Sequence, residues 1–192
     1  MKRGFALGVL VWLSVLCATG IGQQTASVHG NVFREETMGL TYEFAEKFSP
    51  TADNKQLFGD DKTGRERVIL SLWDMPERGG ALRVVLLYDA KQRGSDTTRD
   101  TISHAYLGEV RRNWLGVKGI QMDAPTKVSQ PSYDYWRLDI SGPDQVPRYS
   151  SVIVITLGDR RVLAIKAGAP TQRELDSEVV SLARMRFDKS QK

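Results

Sequence analysis

Two histidines are the first places to look for acid–base chemistry in this chain, and neither sits in a recognisable setting. His29 lies in a small, polar stretch. His104 stands two residues from both Ile102 and Tyr106 in a helical pattern, so it falls opposite the apolar stripe as a solvated polar side chain. No G-x-S-x-G turn presents a nucleophile, no H-E-x-x-H pair offers metal ligands, and no G-x-x-x-x-G-K-[ST] loop cradles a phosphate. Asp89, Gly94 and Asp100 match an EF-hand frame, but Lys91 and Arg93 occupy positions where oxygen ligands belong. Asp60-Asp61 reads as a solvated turn. The residues therefore point to no catalytic group, no metal and no cofactor. A Ser–His–Asp site or a carboxylate pair assembled across the fold stays open, because those constellations are spatial.

Recognition is the chemistry that remains. Tyr133, Tyr135, Arg137 and Asp139 share one face of an alternating stretch, and Tyr and Arg are the side chains that interfaces favour. Arg160 and Arg161 follow Gly158-Asp159 and make a small basic tip. The candidate binding residues are therefore Tyr133, Tyr135, Arg137, Arg160 and Arg161. A plainer reading is preferred for each group. A helix covers the strand face, with Tyr135 packed and Arg137 paired to Asp139, and the arginine tip is solvated surface.

The elements that must position these residues are legible from periodicity. Short strands are expected at 31–34 and 39–44, where Leu40, Tyr42 and Phe44 alternate with polar neighbours. Residues 49–65 read as a polar loop. Runs at 68–75 and 82–88 flank Pro76 and Gly79-Gly80 and predict a hairpin. In 135–141, Trp136, Leu138 and Ile140 oppose Tyr135, Arg137 and Asp139. The apolar run 149–157, the turn at Gly158-Asp159 and the return at 162–167 predict a second hairpin. A helix over 97–113 opens on a Thr97/Asp100 capping box and carries Ile102, Tyr106, Val110 and then Trp114. Another over 171–186 opens on Thr171 and Glu174 and carries Leu175, Val179, Leu182 and Ala183. Short links make the strand pairs antiparallel. Runs that are apolar on both faces need cover on both sides. The expected fold is α+β, an antiparallel sheet covered by helices on both faces, with the short strands at its edges.

Residues 1–22 read as an export signal. Lys2 and Arg3 precede an apolar run over 5–18, which at 14 residues is shorter than the roughly 20 of a membrane-spanning helix. Small residues follow, and cleavage is expected after Gly22. Cys17 is the one cysteine, and Leu16 puts a large residue where lipid attachment needs a small one. Residues 23–30 then read as a linker, 31–188 as one domain and 189–192 as a tail. Taking Lys2 and Arg3 from the 27 basic side chains leaves 25 against 23 acidic, a net charge of +2. That is too weak a basic footprint for nucleic acid. Without its leader the chain has no cysteine, which excludes disulfides and thiol nucleophiles. A composition 41% hydrophobic and 26% charged over 192 residues is that of an ordinary globular domain.

Met38-Gly39-Leu40-Thr41-Tyr42-Glu43-Phe44, followed by Phe48, resembles the G-L-x-Y-x-F-P-x-x-W opening of the PsbP/DcrB-like superfamily. Glu174-Leu175-Asp176 through Ser181-Leu182 and Met185-Arg186-Phe187 resembles that superfamily's last helix. The resemblance spans about 32–188, and it departs from the pattern where Ala45 replaces the proline and Phe48 the tryptophan. It implies an α/β/α sandwich and a small non-catalytic binding or accessory domain, as in photosystem accessory proteins and bacterial envelope lipoproteins. It assigns no site residue.

The expected protein is exported, periplasmic or secreted. It binds a protein or envelope component and does not catalyse. Two other classes stay open. A hydrolase would gather polar groups around His104, and a carrier of a small apolar ligand would have a dry cavity lined by Trp73, Trp136 and Phe187.

Overall fold

A computed structural model describes residues 26–50, 66–74, 80–87, 98–143, 147–158 and 161–188. The expected signal segment, residues 51–65 of the loop expected at 49–65, residues 75–79 and 159–160 with Arg160, Thr97 and the tail lie outside the described residues, whereas Ser49 and Pro50 of that loop belong to a strand. Twelve strands are present among those described: β1 (Ala26–His29), β2 (Val32–Glu35), β3 (Leu40–Glu43), β4 (Phe48–Pro50), β5 (Glu66–Asp74), β6 (Gly80–Leu87), β7 (Gln121–Met122), β8 (Thr126–Ser129), β9 (Asp134–Ser141), β10 (Tyr149–Thr156), β11 (Val162–Ala169) and β12 (Met185–Phe187). Two α-helices, α1 (Arg99–Trp114) and α2 (Gln172–Ser181), complete the order, α1 between β6 and β7 and α2 before β12.

Every strand pair among the described residues is antiparallel, which short links require of consecutive strands such as β9 and β10. The large sheet runs β4-β5-β6-β11-β10-β9-β7, with β8 also on β9. The expected hairpins form, β5 on β6 and β10 on β11, the latter with Ile153 opposite Ile165. The short strands do not extend the edges of this sheet as expected. They form a second sheet, β1-β2-β3-β12. The reason is burial: Phe33, Leu40, Tyr42 and Met185 share one core with Ile153, Ile155 and Leu163, so the small sheet lies against the large one. The segment expected as a linker thereby contributes β1, which pairs along β2.

Alternation along β10 separates two cores. Val152 and Val154 join Leu138, Ile140, Val162 and Ala164 against Ile102 and Leu107 of α1. Ile153 and Ile155 join Leu163 and Ile165 with Leu175 and Val179 of α2 and the small sheet.

The helix starts and ends follow from capping. Thr171 Oγ1 accepts the Glu174 amide at 3.3 Å, so the expected cap of α2 is present. α1 is capped one residue later than expected: Thr98 Oγ1 accepts the Thr101 amide at 3.2 Å. The closing helix is shorter than expected. α2 stops at Ser181, a 3₁₀ turn follows over Leu182–Arg184, and Met185 starts β12 opposite Tyr42. The tighter turn changes the phase of the stripe, which is why Leu182 is buried while Ala183 is exposed.

Candidate functional site

A cleft of about 560 Å³ opens where the N-terminus of α1, the β8–β9 hairpin, the end of β10 and β12 converge. Thr98, the cap of α1, starts its rim and places Asp100 in the first helical turn, where the helix dipole favours a carboxylate. Lys127 of β8 lies directly across from Trp136 of β9, so both side chains leave the hairpin on one face. Asp100 accepts from both, from Lys127 Nζ at 2.9 Å and from Trp136 Nε1 at 3.0 Å. Lys127 also stands 3.5 Å from Asp134. The His104 ring meets Trp136 edge-on, with centroids 4.2 Å apart. One turn from Asp100, Ser103 bonds Thr156 at 2.8 Å in the interior, which ties α1 to the end of β10.

The floor is apolar. Ile155 and Leu157 face away from α1, and Phe187 meets the Tyr133 ring edge-on at 5.4 Å. Tyr133 Oη donates to the Leu182 carbonyl, which fixes the ring. Backbone bonding between Gln130 and Tyr133 at 3.0 Å closes the hairpin loop that carries Ser132.

The resolved ionisation shifts of Asp100, Lys127 and Tyr133 all lead away from neutral pH, the carboxyl downward and the ammonium and phenol upward. The Lys127 bond, then the Trp136 bond, hold the Asp100 carboxyl below its ordinary value. The Asp100 bond raises the Lys127 ammonium. Burial pushes the Tyr133 phenol well above the usual tyrosine range. Each charge state or neutral phenol is thus locked in more firmly at neutral pH.

The sequence-derived candidates fall in different places. Tyr133 lines the cleft. Tyr135 is a core residue, 4% exposed, so its ring faces no surface. Arg137 bonds Asp139 at 2.8 Å and Asp176 of α2 at 2.9 Å, which pins that helix over the strand face. Burial pulls the Arg137 pKa down, but the two carboxylates more than offset it and leave the guanidinium raised. The plainer reading of this face, with Tyr135 packed and Arg137 paired to Asp139, is the arrangement present. Arg161 is half-buried, and its carbonyl accepts the Leu157 amide at 2.8 Å. His104 is exposed, as expected, and its contact with Trp136 is one that spacing along the helix does not mark.

The periodicity of the sequence did not single out Lys127, Ser103 or Thr156. Ser103 beside Ile102, and Thr156 closing an apolar strand, were the available signals: polar residues on buried faces. Trp136 and Phe187 do line one cleft, as a carrier would require, but Asp100, Lys127 and Asp134 make its rim charged, and the Trp73 side chain lies outside the description.

No family model matches the chain, and no curated protein does. Among solved structures, the solution structure of cyanobacterial PsbP (CyanoP) from Synechocystis sp. PCC 6803 matches with a TM-score of 0.54. The match covers 88% of this chain and 95% of that one, at 13% identity. The fold is PsbP-like. At this identity the likeness concerns fold alone and transfers no site. The residues that carry the sequence resemblance are structural in the PsbP-like fold: Met38, Leu40, Tyr42, Phe44 and Phe48 are all buried. Gly39 has φ 58°, and a Cβ there would meet the Asp188 side chain at 2.6 Å, so both backbone and space call for glycine. Among the described residues no group of three His, Cys, Asp or Glu side chains comes together as a metal site, and no helix is long and apolar enough to cross a membrane.

Proposed function

We propose that this chain is an exported, non-catalytic binding or accessory domain, which recognises a protein or envelope component through the cleft between α1, the β8–β9 hairpin and β12. The observation that carries the reading is geometric: the polar groups of the cleft are already engaged, Asp100 by Lys127 and Trp136 and Tyr133 by the Leu182 carbonyl, and the ionisation shifts agree with it. A general acid or base works best with a pKa drawn toward the operating pH. Asp100 is lowered, and Lys127 and Tyr133 are raised, so each moves away from neutrality. Hydrogen bonds that already satisfy Asp100, Ser103 and Tyr133 make a rigid rim, which lowers the entropy cost of binding. The architecture is read as an α/β/α sandwich, supported by the two cores on alternating residues of β10. Export is supported by Lys2, Arg3 and the apolar run at 5–18. Sequencing the N-terminus of the exported protein should find cleavage between residues 18 and 26.

The test of function uses a photoreactive residue in place of Ser132, inside the cleft, and another in place of Arg173, on the exposed face of α2. Cross-linking in the native envelope should capture a partner from Ser132 and not from Arg173. Equal capture from both positions would remove the cleft from the account. A hydrolase is the second reading, because Asp100, Lys127 and Trp136 converge beside His104. If purified protein turns over an ester, peptide, phosphate or glycoside probe, His104→Ala should leave the rate within about threefold, whereas loss of a positioned general base costs typically 10²–10⁴-fold.

A further inference from the structure

The far end of α1 carries a second feature that the cleft does not use. After Trp114 the chain turns through Leu115, Gly116, Val117, Lys118 and Gly119. Gly116 and Gly119 adopt φ of 87° and 80°, a region that other side chains rarely enter. The loop is built by backbone bonds, with the Leu115 amide on the Arg111 carbonyl at 3.1 Å, Val117 on Trp114 at 3.2 Å and Ile120 on Val117 at 3.3 Å. Trp114 packs at its base against the α1-side core. The result is two aliphatic side chains held outward: Leu115 is 61% exposed and Val117 44%.

Charge surrounds this tip. Arg111, Arg112 and Lys118 are exposed beside it, against one acid in the same stretch, Glu109, which pairs loosely with Arg112 at 3.8 Å. Three bases against one acid leave a net charge of +2 over 109–120. Protein interface hot spots favour Trp, Tyr and Arg and under-use Leu and Val. Short aliphatic tips with a basic collar instead suit the lipid headgroup boundary, where apolar side chains enter the acyl region and Lys and Arg meet anionic headgroups. We propose that the 115–119 loop is a peripheral docking site for an anionic lipid surface. α1 has 16 residues and so is about 24 Å long, which separates this loop from the cleft at its other end. A chain seated on a bilayer by this loop keeps its cleft open to a partner.

The test places an environment-sensitive fluorophore on Val117→Cys in the chain as recovered from cells, with Cys17→Ser so that the label is unique. Vesicles of phosphatidylcholine and phosphatidylglycerol should shift its emission to the blue, and vesicles of phosphatidylcholine alone should not. Arg111→Gln combined with Lys118→Gln should raise the lipid concentration for half-maximal shift about twenty-five-fold, from roughly fivefold per lost basic residue. The same label on Leu115→Cys should report the same shift, which guards against a local effect of the first substitution. Emission unmoved by anionic vesicles, or moved equally by both kinds, overturns the proposal. A shift produced by soluble polyglutamate but not by vesicles also overturns it, and assigns the patch to an acidic protein. None of these outcomes depends on the cleft, so the two assignments fail separately.

Discussion

Arg137 illustrates how the same residue serves recognition in sequence and architecture in three dimensions. An arginine that follows two tyrosines on one strand face has the composition of an interface, yet its guanidinium joins Asp139 of its own strand to Asp176 of α2. Only the helix packing decides between the two, and periodicity along one strand contains no information about what lies above it. Arg137→Glu should set three carboxylates together beneath α2. We expect a loss of about 1–3 kcal/mol in denaturant unfolding, below the cost of breaking a fully buried pair because Asp176 is half in water. Unchanged stability would mean that α2 is not held there. His104 gives the complementary case. Its exposure was readable from its place opposite the apolar stripe, but its contact with Trp136 joins positions 32 residues apart. Asp100 was likewise readable as a first-turn acid of α1, whereas Lys127 and Trp136 reach it only because β8 and β9 pair in register.

Among the elements, length and apolar content decided what could be read. β5, β6, β9, β10 and β11 are eight or nine residues each, with apolar runs or clean alternation, and all were legible. β1, β7, β8 and β12 have four residues or fewer and owe their form to pairing with a neighbour. No local pattern marks these four, whereas β3, equally short, is marked by the alternation of Leu40 and Tyr42 with Thr41 and Glu43. The cleft is walled by β8 and β12, so it was hidden for the same reason. The end of α2 carries a measurable consequence. Leu182 lies in the 3₁₀ turn, 1% exposed, in the core that joins α2 to both sheets. Leu182→Ala should destabilise the domain by about 2–5 kcal/mol, the range for a fully buried leucine. A loss well under 1 kcal/mol by chemical unfolding would show that the turn does not seal the core.

For the whole molecule, two packed sheets and their helices make stability depend on interior phenols. Burial pushes the Tyr42 hydroxyl from its ordinary 10.0 up to about 12, despite its bond to Ser181 Oγ at 3.1 Å, and burial raises Tyr133 as well. Raised folded-state values mean that the unfolded chain gives up these protons first. Stability is therefore fully present below about pH 10 and is lost as pH rises toward 12. A two-unit shift corresponds to about 2–3 kcal/mol for Tyr42. Unfolding curves across that window should show the decline, and Tyr42→Phe should flatten part of it; a decline of equal size in the variant would place the cause elsewhere. The proposed role of the cleft in binding, and not in catalysis, is decided by the affinity for the partner captured at Ser132. Ser132→Trp, in the loop between β8 and β9, puts a large ring into the cleft. The Kd should weaken by at least about thirtyfold, as for loss of an interface hot spot, with the melting temperature unchanged. An unaltered Kd in a folded Ser132→Trp variant would contradict it.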